Sequence, residues 1–110
     1  TGGELKLTTD AYTGAYALDF LDKFNFTVGF FGTNGIHSQA QLTTTDPVEA
    51  AIKAKASSRT YKVFILADSS KFNNIGSVTF AKLNEATLIT DSAPKEYKDL
   101  MKIIDLSSEK

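Results

Sequence analysis

Tyr61-Lys62-Val63-Phe64-Ile65-Leu66-Ala67-Asp68-Ser69-Ser70-Lys71-Phe72 is the stretch whose reading decides the fold. Six of its first seven residues are apolar or aromatic, and Val63 to Ala67 is unbroken. A run of this kind reads as a strand covered on both faces, the sort found inside a parallel sheet. It stops abruptly at Asp68-Ser69-Ser70-Lys71. In open α/β sheets, ligands bind beyond the carboxyl ends of the strands. An acid, two hydroxyls and an amine at that point suit a polar ligand. The competing reading is structural: Asp68 or Ser69 caps a helical turn, and Lys71 is solvated.

Upstream, Phe26 to Phe31 is a second apolar run and reads as another buried strand. It ends in Gly32-Thr33-Asn34-Gly35-Ile36, a second polar loop at a strand's carboxyl end. Its two glycines permit positive φ and expose backbone N–H groups; an ordinary Asn-Gly turn is the plainer account. His37 to Thr45 is polar and reads as irregular, with hydroxyls at Thr43, Thr44 and Thr45 and the chain's one histidine. Asp46-Pro47 then starts a helix, a cap followed by proline at the first position. Glu49, three residues after Asp46, resembles a capping box. The helix runs to about Ser57, and Lys53 lies one turn beyond Glu49, an ordinary i,i+4 ion pair.

At the start of the chain, Glu4 to Thr9 alternates like a half-buried strand, and Gly14 to Phe24 carries helical spacing in Ala15, Leu18, Leu21 and Phe24. Downstream, Phe72 to Ser77 is a loop. The spacing of Val78, Ala81 and Lys82 favours a helical turn over a short strand. Ala86 to Thr90 reads as a strand. A helix over about Lys95 to Ile104 follows, with Tyr97, Leu100, Met101 and Ile104 as its apolar stripe; a last strand at Ile103 to Leu106 is the alternative. This alternation gives an α/β domain in three layers on a mostly parallel sheet.

Composition narrows the function. A net charge of -1 and 12 basic against 13 acidic residues leave no cationic surface for nucleic acid. No apolar run approaches the length of a membrane span. With no cysteine, disulfides and thiolate chemistry are excluded, which fits a cytoplasmic protein. No residue pattern calls for a metal or a cofactor. At 110 residues the chain is one domain or a piece of one, and it begins with Thr1, as a fragment of a longer protein would.

In order along the chain stand Thr1-Gly2-Gly3, Gly14, Phe31-Gly32-Thr33-Asn34-Gly35-Ile36, Leu42-Thr43-Thr44, Glu49-Ala50 with Lys53, Leu66-Ala67-Asp68-Ser69-Ser70-Lys71-Phe72, and Ile89-Thr90-Asp91. Together they resemble the carboxyl-terminal effector-sensing domain of the DeoR family of bacterial repressors, most of all repressors of lactose or fructose phosphotransferase operons. The resemblance implies a fold like that of ribose-5-phosphate isomerase and glucosamine-phosphate deaminase, here in part. It implies that residues 1–110 are the carboxyl-terminal portion of a sugar-phosphate sensor. The winged helix-turn-helix that binds operator DNA, and the loop that cradles a phosphate, are absent from this chain. Two departures stand out. Gln41 replaces a glycine frequent before Leu-Thr-Thr, and Lys53-Ala54-Lys55-Ala56 replaces Lys-Arg-x-Met.

The resemblance implies a ligand site of Gly32, Thr33, Asn34, Gly35, Glu49, Lys53, Asp68 and Lys71. Asn34 and the glycine backbone would meet sugar hydroxyls. Lys71 would supply charge to an anion such as a fructose or tagatose phosphate. The protein would act as a homo-oligomer. The alternative is a sugar-phosphate isomerase. Isomerisation needs a carboxylate base; Asn34 has no titrating group, which leaves Glu49 as the candidate.

Overall fold

The computed structural model describes residues 18–109. The expected strand at Glu4 to Thr9 and the start of the first expected helix lie outside those residues; residues 18–21 are helical. The main sheet has four parallel strands: β1 (Phe26–Gly32), β4 (Thr60–Leu66), β6 (Thr87–Thr90) and β7 (Lys102–Asp105), in the order β1-β4-β6-β7. The mixed α/β architecture around a mostly parallel sheet is the one read from the sequence.

Register sorts the side chains into two faces, since paired residues of neighbouring strands project to the same side. Phe31 pairs with Ile65, Ile65 with Leu88, and Leu88 with Ile103. This row belongs to the core, in which Ile65 and Leu88 are fully buried and Phe31 and Ile103 are partly buried. The opposite face holds Val28, Phe30, Leu66 and Ile104, which are 45%, 59%, 48% and 42% exposed. β1 and β4 were expected to be covered on both faces. Among the described residues only one face is covered; on the other, Phe30 stacks on Phe64 at 5.3 Å between centroids.

A second, antiparallel sheet packs into the same core. It comprises β2 (Gly35–His37), β3 (Gln41–Thr44) and β5 (Val78–Ala81), in the order β2-β3-β5. Two sequence readings are corrected here. The polar stretch His37 to Thr45 is not irregular but forms a hairpin. Its threonines carry hydrogen bonds inward: Thr43 Oγ1 accepts from the Gly76 N–H at 2.7 Å. His37 shapes the turn, its Nδ1 accepting from the Gln39 and Ala40 amides at 3.1 and 3.2 Å. Gln41 has φ 70°, a left-handed conformation that favours glycine. Its side chain accepts from Leu83 N–H at 2.8 Å and donates to Ser38 O at 2.7 Å, which fixes the turn.

The second correction is at Val78 to Leu83, expected to be helical. Val78–Ala81 is a strand that pairs with β3 and buries Phe80. The helix expected over Lys95 to Ile104 is likewise a 3₁₀ turn, Lys95–Asp99, followed by β7. β-branched Ile103 and Ile104 pair with Leu88 and Ile89, which outweighs the helical spacing of Tyr97 and Met101.

The long helix α1 (Pro47–Ser58) forms as read. The Asp46 carboxylate accepts from the Val48 and Glu49 amides at 2.9 and 3.4 Å, and Pro47 occupies the first position. Ala50 and Ile52 are its buried residues. Aspartates tie the strand ends together. Asp91, after β6, accepts from Ser69 N–H, after β4, at 2.7 Å. Asp105, ending β7, accepts from Ala93 N–H, after β6, at 3.0 Å.

Candidate functional site

The two polar loops read from the sequence lie side by side. β1 and β4 are adjacent and parallel, so Gly32 and Leu66 end them at the same edge. An isolated parallel bridge joins Ile36 to Phe72, and Asn73 N–H donates to Ile36 O at 2.7 Å. The fit is close at Gly35, where a Cβ would stand 2.3 Å from Asn74 O. Neither Gly32 nor Gly35 uses the positive φ that glycine permits; among the described non-glycine residues Gln41 and Asn73 have it. Asn73 tolerates this conformation better than most side chains.

Gly32, Asn34, Glu49 and Lys53 form one connected group. Lys53 reaches from α1 to donate to Gly32 O at 2.8 Å, with Glu49 Oε2 at 3.9 Å. Its ammonium also lies 5.2 Å from the centroid of the Phe80 ring. Partial burial pulls the Lys53 pKa below its ordinary value, opposed by the Glu49 carboxylate. Thr44 Oγ1 links the rest, donating to Asn34 Oδ1 at 2.7 Å and lying 3.1 Å from Glu49 Oε1. Thr33 is turned inward: its hydroxyl is shared between Gly35 O and Thr43 O, both at 2.9 Å.

Asp68 and Lys71 form a second pair, Nζ to Oδ2 at 4.0 Å. Asp68 also caps the 3₁₀ turn Ser69–Lys71, accepting from the Ser70 amide at 2.9 Å and from the Ser70 hydroxyl. Those Ser70 bonds, the hydroxyl first, hold the Asp68 carboxyl below its ordinary pKa. The capping reading of Asp68 therefore stands, and its exposed second oxygen and Lys71 still face solvent at the loop.

Thr44, Asn73 and Tyr97 join the site without having been singled out. The three consecutive threonines were the signal for Thr44, because buried hydroxyls seek partners. Tyr97 passed as part of an apolar stripe. Its ring packs on Phe72 at 4.9 Å, while its hydroxyl lies 2.9 Å from Asn73 Oδ1 and 3.2 Å from Ile36 O. Among the described residues no cluster of His, Cys, Asp or Glu could hold a metal ion, and no helix is long and apolar enough to cross a membrane.

Such a site, two polar loops carrying cations and acceptors at the carboxyl edge of a parallel sheet, suits a small polar anion. Comparison with known proteins places the chain. The family described as DeoR C terminal sensor domain matches residues 1–92. The chain is 42% identical over 92 residues to the uncharacterized HTH-type transcriptional regulator FruR of Bacillus subtilis, covering 84% of this chain and 37% of that protein. It is 39% identical over 92 residues to the HTH-type transcriptional regulator GlpR of Haloferax volcanii, covering 83% and 36%. With the lactose phosphotransferase system repressor of Staphylococcus aureus it shares 30% identity over 102 residues, covering 93% and 39%. The chain thus spans well under half the length of these relatives. The loop order, the sheet and these matches agree: the chain belongs to the family of DeoR C-terminal sensor domains.

Proposed function

We propose that residues 1–110 are the carboxyl-terminal portion of the effector-binding domain of a transcriptional repressor of a sugar-utilisation operon, and that the effector is a phosphorylated sugar. The observation that carries this reading is the juxtaposition of the two loops, with Lys53 on Gly32 O and Lys71 beside Asp68. Asn34, Glu49 and the loop backbone supply partners for sugar hydroxyls, and Lys71 supplies charge for the phosphate. Operator DNA is bound by another part of the complete protein, which acts as a homo-oligomer in the cytoplasm; the balance of 12 basic against 13 acidic residues in this chain supports that division.

The reading is a sensor rather than an isomerase. Glu49 is the base candidate read from the sequence, and its two oxygens face the Thr44 hydroxyl and the Lys53 ammonium. Titration calorimetry of the complete protein with fructose and tagatose phosphates tests the proposal. Lys71→Ala is expected to weaken effector binding by roughly tenfold, the scale of one charge-assisted hydrogen bond, and to leave operator binding nearly unchanged. Unchanged effector affinity would return Lys71 to the role of a solvated lysine. A coupled isomerase assay is expected to show no turnover.

A further inference from the structure

Tyr97 lies beyond the residues matched by the family, 1–92, yet its side chain reaches both loops of the candidate site. It is 1% exposed. Its ring is held by Phe72, the residue that bridges to Ile36. Its hydroxyl faces two acceptors, each on a different loop. One is Ile36 O, at the end of Gly32-Thr33-Asn34-Gly35-Ile36, which also accepts the Asn73 amide. The other is the side-chain oxygen of Asn73, whose backbone is left-handed at φ 68°. Asn73 directly follows Phe72, two residues beyond Lys71. Asn34, two residues before Ile36, is on the other loop. One phenol therefore meets both loops within a few residues of the groups proposed to touch the ligand. Burial raises the Tyr97 pKa, so the phenol stays a donor throughout the physiological range.

We infer that the Tyr97 hydroxyl is a positioning group of the effector site: it fixes the separation of the two loops, and effector affinity depends on it although it touches no effector. The inference rests on the sensor reading for its consequence, and on geometry alone for its grip on the loops. Those two parts are separable by experiment.

Tyr97→Phe keeps the ring and its packing on Phe72 and removes only the hydroxyl. Asn73 Oδ1 is at an exposed residue where water can replace the lost donor, and Ile36 O keeps the Asn73 amide, so the variant folds. Hydrogen exchange of the complete protein without effector is compared first. Faster exchange in residues 33–37 and 69–76, with β6 and β7 unchanged, is expected. Calorimetry with fructose and tagatose phosphates is compared second. Affinity is expected to fall about threefold to tenfold, one neutral hydrogen bond's worth, with operator binding in the absence of effector unchanged. Unchanged exchange in both loops overturns the inference. So does faster exchange with unchanged affinity, because the loops would then not need Tyr97 to bind. If the wild-type protein bound none of these sugar phosphates, the sensor reading would fail on its own. The exchange result would then decide Tyr97 alone: loosened loops support its positioning role and unchanged loops refute it.

Discussion

Gly35 and Gly32 stand three residues apart in one loop and face opposite constraints. A Cβ at Gly35 would meet Asn74 O at 2.3 Å and Asn74 C at 2.8 Å, both backbone atoms. Nothing lies within 4 Å of a Cβ at Gly32. Gly35→Ala must push the two loops apart, and is expected to destabilise by about 2 kcal/mol, as overpacking does; Gly32→Ala should stay within about 0.5 kcal/mol. Urea titration of both variants checks the contrast. The sequence reading allowed both glycines a positive φ, and neither uses it; what Gly35 supplies is close approach to Asn74, in a loop distant in sequence. That distance is invisible in a local pattern. The carboxylate of Asp105 is another long-range device. The Ser107 hydroxyl, then the Ala93 amide, hold its pKa down at about 2. A carboxyl whose folded pKa is depressed stabilises the fold above its unfolded pKa, and the benefit is lost as pH falls toward the folded value. Stability should therefore fall between about pH 4 and pH 2, and Asp105→Asn should flatten that limb of the acid-unfolding curve.

Among the elements, α1 was legible because its signals are local. Asp46, Pro47 and Glu49 sit within one turn, and the structure uses the Asp46 cap as read. Asp46→Ala is expected to cost about 1 kcal/mol, seen as a lower denaturation midpoint with an unchanged urea slope. β2, β3 and β5 were harder. β2 and β3 are short and polar although they pair as a hairpin, and β5 joins them from far along the chain, with Ala81 opposite Leu42. The stretch 95–104 misled for a related reason. Tyr97 and Met101 are both buried and four residues apart, as on a helix, yet a 3₁₀ turn and the bend that leads into β7 deliver them to the same core. Short apolar runs do not decide between the two periods; the neighbour already in place decides. The site shared this division. Loops at the strand ends were found, since a run that stops in polar residues is a local event. Thr44, which ties Asn34 of the first loop to Glu49 of α1, and Tyr97, which meets both loops, were not.

At the scale of the molecule, the face of the main sheet that the described residues leave uncovered bears on association. Val28, Phe30, Leu66 and Ile104 form an exposed apolar face, and such faces promote association. The 110-residue chain is expected to self-associate as its concentration rises, measured by sedimentation velocity, and Phe30→Glu should shift it toward monomer. A chain that stays monomeric at high concentration would mean that other residues cover this face. The same chain should not shift operator DNA in a gel at physiological salt, since its 12 basic residues are outnumbered by 13 acidic ones. The strand order has a consequence of another kind. β1, β4, β6 and β7 stand in the sheet in the order in which they are translated. Among the described strands, each one after β1 finds its partner already synthesised, and none has to be threaded between two others. A nascent chain stalled once Leu66 has emerged already contains both strands of the β1–β4 pair, and later strands are added one at a time to a growing edge, so assembly of this sheet can keep pace with synthesis.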